Sequence, residues 1–198
     1  MIQGSGDPPL RVDWLEATEL NDGAPGRLGM TFLPGKTGRS LRYPGRVYRR
    51  ELGRDLDTLR TGGIRHLLLL VEDDELSRWG DPEIVKRAAD SGVIVTRRPL
   101  PDGSAPRSVQ DMDETLNLLA VARRAGDVAV ACMGGVGRTG TVAACALVAA
   151  GRSAGGAIER VRAVRHPTAV ETQDQVDFVH AYERHVVERR NRSGKVAP

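Results

Sequence analysis

The stretch VAVACMGGVGRTGTVAACALVAA, residues 128–150, joins an apolar strand to an apolar helix through a glycine-rich loop. Residues 128–131 form a short unbroken apolar run, which predicts a strand buried on both faces of a sheet. The alanine-rich residues 138–150 predict a helix that is buried in the same way. A buried strand that leads into a buried helix is typical of α/β folds, so this stretch indicates the fold class.

The alternation of strands and helices extends outward from this stretch. We predict strands over residues 12–18, 28–33, 64–71, 93–96 and 128–131. We predict helices over residues 51–61, 81–92, 108–126, 138–150, 154–165 and 172–190. This order predicts a single-domain α/β fold whose central, mostly parallel sheet is flanked by helices on both faces. Ligands in such sheets bind beyond the carboxyl ends of the strands, here after Val71, Thr96 and Ala131.

The two ends of the chain are polar and lack a periodic apolar pattern. We predict that residues 1–10 and residues 191–198 are flexible tails. Residues 11–190 between them are predicted to form one domain, which is long enough to bury a hydrophobic core. Residues 36–50 are rich in glycine, proline and arginine and are predicted to form a loop.

The charge and composition of the chain restrict its function. The formal net charge is +3 and the isoelectric point is about 9.2, a mild basic excess that suits an anionic ligand. This excess is too small to indicate a nucleic-acid partner. No apolar run approaches the roughly 18 residues of a membrane span, and residues 1–10 lack a secretion signal. We therefore expect a cytoplasmic protein with no membrane span.

The two cysteines, Cys132 and Cys145, do not form the paired framework of a secreted domain, which favours a reducing compartment. Cys145 lies in the predicted helix 138–150 and is expected to be a small core residue. The four histidines show no metal-ligand spacing with cysteine, so we expect neither a metal nor a cofactor.

The loop between the predicted strand and helix has the residue types of a phosphate-binding site. Its glycines allow the backbone to turn tightly, so that successive N–H groups point at one anion. The free N–H groups at the start of the helix add to this positive potential. We predict that these loop residues bind phosphate through their backbone: Met133, Gly134, Gly135, Val136 and Gly137.

Two side chains in this loop predict chemistry as well as binding. The planar guanidinium of Arg138 can bind two phosphate oxygens at once. Cys132 lies at the start of the loop, where Arg138 and the helix dipole should lower the pKa of the thiol and produce a thiolate nucleophile. The alternatives are a loop that binds phosphate without catalysis and a plain turn.

Asp102 is the candidate general acid. The alcohol or phenol released from a phosphate ester needs a proton as the P–O bond breaks, and a carboxylic acid on a mobile loop can supply it. Asp102 lies in PLPDGSAP, residues 99–106, between a predicted strand and a predicted helix. The alternative is a turn aspartate, because P-D-G is a common turn sequence. Asp111 and Asp113 follow on the predicted solvated side of the next helix.

These motifs resemble the cysteine-dependent protein tyrosine and dual-specificity phosphatases. The loop is similar to their signature, H-C-x-x-G-x-x-R-[ST]-G, and residues 28–185 resemble in particular the kinase-associated phosphatase group. The resemblance implies the mixed sheet of that fold and a two-step reaction through a cysteinyl phosphate. It also implies that an aspartate about thirty residues before the cysteine is the acid, which Asp102 matches.

The resemblance implies two further roles and shows two departures. Thr139 matches a hydroxyl that helps the sulfur to leave in the second step. Gln175 matches a glutamine that positions the hydrolytic water, although T-x-x-Q is also a helix capping box. Ala131 stands where the family has a histidine before the nucleophile, and we expect a higher pKa for Cys132 than in histidine-bearing relatives. Glu171 replaces the first glutamine of the family motif.

We expect the substrate to be a phosphorylated protein or peptide. The loop lacks the basic residues of inositide-directed relatives, and aromatic residues make up only 4% of the chain, which favours a shallow pocket for phosphotyrosine and also phosphoserine or phosphothreonine. The alternatives are a non-catalytic phosphate-binding module, a phosphatase for a small molecule or lipid, and an enzyme of another class. Six cations in and around the loop of residues 36–50 are candidates for a basic rim or for a solvated loop: Lys36, Arg39, Arg42, Arg46, Arg49 and Arg50.

Overall fold

The computed structural model describes residues 7–40 and 43–194, and its centre is a five-stranded sheet. The strands of the chain are β1 (Asp13–Leu15), β2 (Leu28–Phe32), β3 (Thr37–Arg39), β4 (Val47–Arg49), β5 (Ile64–Leu69), β6 (Ile94–Arg97) and β7 (Asp127–Cys132). The sheet order is β1-β2-β7-β5-β6, and β3 and β4 form a separate hairpin. Only β1 is antiparallel to its neighbour within this sheet, so the predicted mostly parallel sheet is confirmed.

Eight helices connect and cover these strands in the described part of the chain. They are α1 (Ala17–Leu20), α2 (Leu52–Thr61), α3 (Asp73–Trp79), α4 (Ile84–Asp90), α5 (Val109–Arg123), α6 (Gly137–Ala149), α7 (Ala154–Val164) and α8 (Gln173–Gly194). Serine side chains cap the starts of α5 and α7, because the hydroxyls of Ser108 and Ser153 accept backbone hydrogen bonds from Asp111 and Gly156. No helix in the described ranges is both long and apolar enough to cross a membrane.

The central strand β7 separates two hydrophobic cores, because successive side chains of a strand point to opposite faces. Val128, Val130 and Cys132 belong to the core that α5, α6, α7 and α8 cover. Ala129 and Ala131 belong to the core that α2, α3 and α4 cover. Helices therefore flank both faces of the sheet, as predicted, and β7 is apolar throughout because it is buried on both sides.

The parallel register brings three strand ends to one edge of the sheet. Cys132, the last residue of β7, lies opposite Phe32 of β2, and Ala131 lies opposite Leu69 of β5. Leu69 in turn lies opposite Arg97 of β6. The segments that follow β5, β6 and β7 therefore meet at this edge, as the alternating pattern predicted, and they build the candidate site.

The structure differs from the prediction over residues 36–50 and 72–80. The first segment is not a simple loop but contains the β3–β4 hairpin, which is closed by a backbone bond from Arg50 N–H to the Lys36 carbonyl at 3.1 Å. The second segment contains α3, which we did not predict. Both elements are short and largely polar, so neither has the apolar periodicity on which the prediction relied.

The ends of the domain extend further than predicted. Leu10 is buried among the side chains of the second core, and the Asp7 carboxylate accepts a hydrogen bond from Arg49 N–H at 2.9 Å. The last helix continues to Gly194 instead of ending near residue 190. Residues 1–6 and 195–198 of the predicted tails lie outside the described residues, as does Arg42 of the basic segment.

Asp113 joins α5 to α8, whereas we predicted that it lies on a solvated face of α5. Its carboxylate accepts hydrogen bonds from Tyr182 Oη and His185 Nε2, both at 2.6 Å. Arg189 lies 3.0 Å from the same carboxylate. The prediction was wrong because α8 packs against this side of α5. The charged residues of α5 are distributed around the helix, so the sequence does not show which side another helix will cover.

Candidate active site

The segment after β7 curls around the sulfur of Cys132. The Sγ atom accepts a hydrogen bond from Gly135 N–H at 3.2 Å, and the residue is 3% exposed. The N–H groups of Val136 and Thr139 also point at the sulfur, because α6 begins at Gly137 and directs its free N-terminal amides toward it. The sulfur therefore lies at the centre of several N–H donors, whereas the binding of a phosphate by these N–H groups stays a prediction.

Gly135 makes this tight curl possible. Its φ is +66°, and a Cβ at this position would lie 2.2 Å from the carbonyl oxygen of Thr31. Both observations exclude a side chain. Arg165 then clamps the loop, because its Nε donates to the Gly135 carbonyl at 2.8 Å while its Nη1 pairs with Asp13 at 2.7 Å. Sequence reasoning missed Arg165, which comes from the end of α7.

The surroundings of Cys132 stabilise its thiolate. Burial alone raises the pKa of the thiol, but the positive charge of Arg138, the Thr139 hydroxyl and the N–H groups of Thr139 and Val136 lower it. The net result is a pKa below the ordinary value of a thiol. Ala131, which replaces the histidine of the resembled signature, is fully buried in the opposite core, so it contributes no polar group here.

Arg138 is held under the loop by a buried carboxylate. Its Nη1 donates to Glu75 Oε2 at 2.6 Å and its Nη2 donates to Glu75 Oε1 at 2.7 Å, and Nη1 also reaches the Leu100 carbonyl at 2.8 Å. Arg138 is 1% exposed and Glu75 is 5% exposed. Sequence reasoning missed Glu75, although its position just after β5 was a usable signal, because the segment after Val71 was expected at this edge.

Two buried polar atoms beside the sulfur form no hydrogen bond of ordinary geometry among the described residues: Arg138 Nε and Thr139 Oγ1. Leaving a buried donor unsatisfied costs about 1–3 kcal/mol, so such atoms need an explanation. The Cys132 thiolate is the acceptor beside the Thr139 hydroxyl. The Arg138 Nε–H remains a buried donor that a bound oxyanion would satisfy.

The loop that carries Asp102 comes to the same place. The Asp102 side chain is 73% exposed, and its Oδ1 lies 2.9 Å from Arg138 Nη2. Two contacts hold the loop against the start of α8, because Thr172 Oγ1 donates to the Gly103 carbonyl at 2.9 Å and Gln175 Nε2 donates to the Ser104 carbonyl at 3.0 Å. The structure therefore places an exposed carboxylate on a tethered loop beside Arg138.

Gln175 is fully buried and serves as part of a capping box. Its Oε1 accepts from the N–H groups of Glu171 at 2.9 Å and Thr172 at 3.4 Å, while its own N–H donates to Thr172 Oγ1 at 3.3 Å. The side chain also lies against the loop, because a Cβ on Gly137 would be 3.1 Å from Gln175 Oε1 and 2.6 Å from Glu171 Oε2. The capping interpretation is therefore confirmed, and the glutamine adjoins the site.

A cavity of about 590 Å³ opens over the loop, and aromatic side chains line it. The chain contains only seven aromatic residues, and four of them are in this wall: Phe32, Tyr43, Tyr48 and Trp79. They come from three separate segments, β2, the β3–β4 hairpin and α3, so composition alone could not reveal the cluster. Met133, Gly134 and Val136 of the loop line the same cavity, as does Asp102.

Other candidate groups lie apart from this cavity. Cys145 is fully buried in α6, and burial raises the pKa of its thiol well above the ordinary value, as suits a core residue. No cluster of three or more His, Cys, Asp or Glu side chains suited to a metal ion occurs within residues 7–40 and 43–194.

Residues 4–156 match the model of a protein family described as cyclin-dependent kinase inhibitor 3 (CDKN3). The chain belongs to the cyclin-dependent kinase inhibitor 3 family. Curated proteins named cyclin-dependent kinase inhibitor 3 from rat and human are 27% and 26% identical to it, over 88% of this chain and 79% of each relative. The predicted resemblance to the kinase-associated phosphatase group is thereby confirmed.

Two solved structures share the fold of this CDKN3-family protein. One is kinase associated phosphatase (KAP) with its catalytic-site cysteine substituted by serine, at a TM-score of 0.78 and 24% identity over 91% of this chain and 98% of that one. The other is Tk-PTP in the active form, at a TM-score of 0.64 and 32% identity over 80% and 92%. The family match includes Glu75, Asp102, Cys132 and Arg138, whereas α8 with Gln175 lies beyond it.

Proposed function

We propose that this protein is a metal-independent phosphatase that hydrolyses phosphotyrosine, and also phosphoserine or phosphothreonine, on proteins. The observation that carries the proposal is the thiol of Cys132, whose pKa is lowered inside a ring of N–H donors above Arg138. Membership of the CDKN3 family supports protein phosphatase activity. A thiolate needs a reducing environment, so we place the protein in the cytoplasm.

In the first step, the thiolate of Cys132 attacks phosphorus and the ester P–O bond breaks. The loop amides and Arg138 bind the three non-bridging oxygens, on which negative charge is concentrated. Asp102 gives its proton to the departing oxygen, so that an alcohol or a phenol leaves instead of an alkoxide or phenolate. The products of this step are the dephosphorylated protein and a cysteinyl phosphate.

In the second step, water attacks phosphorus and the P–S bond breaks. Asp102, now a carboxylate, accepts a proton from the water, and inorganic phosphate is released. The sulfur leaves as a thiolate, which the Thr139 hydroxyl stabilises by donating to it. Gln175 helps to position the water, because its amide lies against Gly137 at the edge of the loop.

The cavity supports a phosphorylated protein as the substrate. A phosphate seated over Cys132 would place the attached side chain between aromatic walls that include Phe32 and Trp79. An aromatic wall suits the ring of phosphotyrosine, since paired rings are worth about 0.5–1.5 kcal/mol beyond their burial. The breadth of the cavity also admits the shorter phosphoserine and phosphothreonine.

Turnover of two aryl phosphates in the presence of EDTA tests this function. We expect the wild-type protein to hydrolyse both p-nitrophenyl phosphate and phenyl phosphate, and Cys132→Ser to be inactive. Asp102→Asn should slow the hydrolysis of phenyl phosphate by about 100-fold, because its basic leaving group needs a proton. The hydrolysis of p-nitrophenyl phosphate should slow far less. Cys145→Ala is the matched control for Cys132→Ser and should retain activity.

Rapid quenching with a radiolabelled substrate should capture phosphate bound covalently to Cys132. Binding of phosphate with no turnover of either ester would favour a non-catalytic phosphate-binding module. Activity that is lost in EDTA and restored by a metal would contradict the proposed chemistry.

A further inference from the structure

Cationic side chains outnumber carboxylates at the mouth of the cavity. Its described lining includes six cationic side chains and two carboxylates, Asp102 and Glu171. The six cations are Arg11, Lys36, Arg39, Arg46, Arg50 and Arg165.

Three of these cations are already paired with two carboxylates of the protein. Arg50 is buried and pairs with Asp55 at 2.6 Å. Arg11 and Arg165 share Asp13, at 2.8 Å and 2.7 Å. These arginines therefore stabilise the fold and the loop, and their charge is largely compensated.

Arg39 and Arg46 differ from those three arginines. Both are exposed and lie close together on the hairpin, where Ser40 N–H donates to the Arg46 carbonyl at 2.8 Å. Among the described residues, neither side chain forms a hydrogen bond or an ion pair. The two guanidinium groups thus face the cavity with their N–H donors available.

Tyr48 holds one of these guanidinium groups in place. The guanidinium carbon of Arg46 lies 4.7 Å from the centre of the Tyr48 ring, and Lys36 Nζ lies 4.4 Å from the same centre. A guanidinium stacked on a ring keeps its N–H donors available in its own plane. Stacking also reduces the side-chain entropy that Arg46 would lose when an anion binds.

We propose that Arg39 and Arg46 bind a second anion, carried by the polypeptide substrate beside its phosphorylated residue. This inference rests on the proposed phosphatase function and names the substrates that it favours. The second anion is a carboxylate or a second phosphate, since both suit paired arginines. The exposed side chains of Tyr43 and Val47 lie on the same hairpin. A peptide is long enough to cover both of them, whereas a compact polyphosphorylated headgroup is not.

Kinetics on matched phosphotyrosyl peptides test the proposal. One peptide carries glutamates on both sides of phosphotyrosine, the second carries glutamines there, and the third carries a neighbouring phosphoserine. For the wild-type protein, kcat/KM should be about five- to tenfold higher for the two anionic peptides than for the glutamine peptide at low salt. The preference should shrink toward one in 0.5 M salt, because exposed charges are screened.

The double variant Arg39→Gln/Arg46→Gln should lose most of this preference. The matched control Arg124→Gln removes an exposed charge at the end of α5, outside the cavity, and should keep the full preference. A wild-type ratio near one, or a double variant that keeps the wild-type ratio, would overturn the inference while leaving the phosphatase function intact. Faster turnover of phosphoinositide vesicles than of any peptide would also overturn it, and failure to hydrolyse p-nitrophenyl phosphate would remove both proposals.

Discussion

Glu75 binds Arg138 through two hydrogen bonds of 2.6 and 2.7 Å, in a place where both side chains are buried. The bonds use both terminal nitrogens of the guanidinium and fix its plane, and the Nε–H has no ordinary hydrogen-bond partner among the described residues. Burial lowers the pKa of Arg138, but the hydrogen bonds to Glu75 and the nearby negative charges of Cys132, Glu75 and Asp102 raise it above its ordinary value, so this side chain stays cationic. Under the proposed function, Glu75 would position Arg138 and so act on substrate through it.

Replacing Glu75 by glutamine should reduce both stability and activity. Breaking a buried ion pair leaves one charge uncompensated and costs about 3–5 kcal/mol. We expect kcat/KM for p-nitrophenyl phosphate to fall at least tenfold for Glu75→Gln, mainly through KM because Arg138 is no longer held. Asp74→Asn removes an exposed carboxylate from the same helix and should change neither urea unfolding nor kinetics. Equal behaviour of the two variants would show that Glu75 does not position Arg138.

The lowered pKa of Cys132 should be visible in its reactivity. The rate of alkylation by iodoacetamide, followed against pH, should show a midpoint below about 8.5, the value of an unperturbed thiol. Thr139→Val removes a hydroxyl that stabilises the thiolate and should raise the midpoint. Cys132→Ser gives the background, since the pKa of buried Cys145 is well above the ordinary value. A wild-type midpoint at or above that of a free thiol would contradict the structure.

The same shift links pH to stability. The pKa of Cys132 is lower in the folded than in the unfolded protein, so its ionisation contributes stability that is complete above the unfolded-state value. That contribution disappears as the pH falls through the folded-state pKa. The free energy of unfolding of the wild type, measured in urea, should therefore increase relative to that of Cys132→Ser as the pH rises from the folded-state pKa of Cys132 to its unfolded-state pKa.

Two neighbouring glycines should respond differently to alanine. Gly135→Ala introduces a Cβ that would lie 2.2 Å from a backbone oxygen, at a φ of +66°, and should destabilise the protein by more than about 2 kcal/mol. Gly134→Ala is the matched control, because the nearest atom to its Cβ would be 4.0 Å away. Thermal unfolding of the two variants measures the difference. Comparable losses would mean that the loop does not require the curl seen here.

Asp113 should stabilise the packing of α8 on α5. Burial raises the pKa of this carboxyl, but hydrogen bonds from Tyr182 and His185 and the charge of Arg189 lower it, so the net pKa is below its ordinary value. We expect Asp113→Asn to lower the free energy of unfolding by about 1–3 kcal/mol at pH 7. Because the pKa is depressed, this contribution is present above the unfolded-state value and lost as the pH falls through the folded-state value.

Urea unfolding at pH 7 and at pH 3 measures this contribution. The exposed Glu114 on the same helix is the control, and Glu114→Gln should have little effect at either pH. A difference between wild type and Asp113→Asn that persists undiminished in acid would argue that its charge is not involved.

Gln175 should affect the second chemical step if it positions water. Gln175→Ala would then accumulate the phosphorylated enzyme, which a pre-steady-state burst of p-nitrophenol reveals. A purely structural glutamine would lower stability through the lost bonds to Ser104 and Glu171 but would give no burst. Gln173→Ala is the control, because that exposed side chain on the same turn bonds only to Asp177 among the described residues.

Local sequence was enough to predict the centre of the fold and of the candidate site. The strand, loop and helix from β7 to α6 are contiguous, and apolar periodicity with interleaved glycines describes such a unit directly. The positions of Cys132 and Arg138 follow from it, because both belong to the same short segment. Asp102 was predicted less directly, since its place depends on how β6 registers against β5.

Contacts between distant segments decided the rest, and no local pattern encodes them. Glu75 meets Arg138 across 63 positions of sequence, and Asp113 meets His185 across 72. The aromatic wall gathers residues from separate segments, including the unpredicted hairpin and α3. Backbone periodicity shows which face of an element is buried, but the partner of a buried side chain depends on the packing of whole elements. The sequence therefore determined Cys132, the proposed nucleophile, and its loop, while the tertiary structure alone decided what holds Arg138 and what lines the cavity.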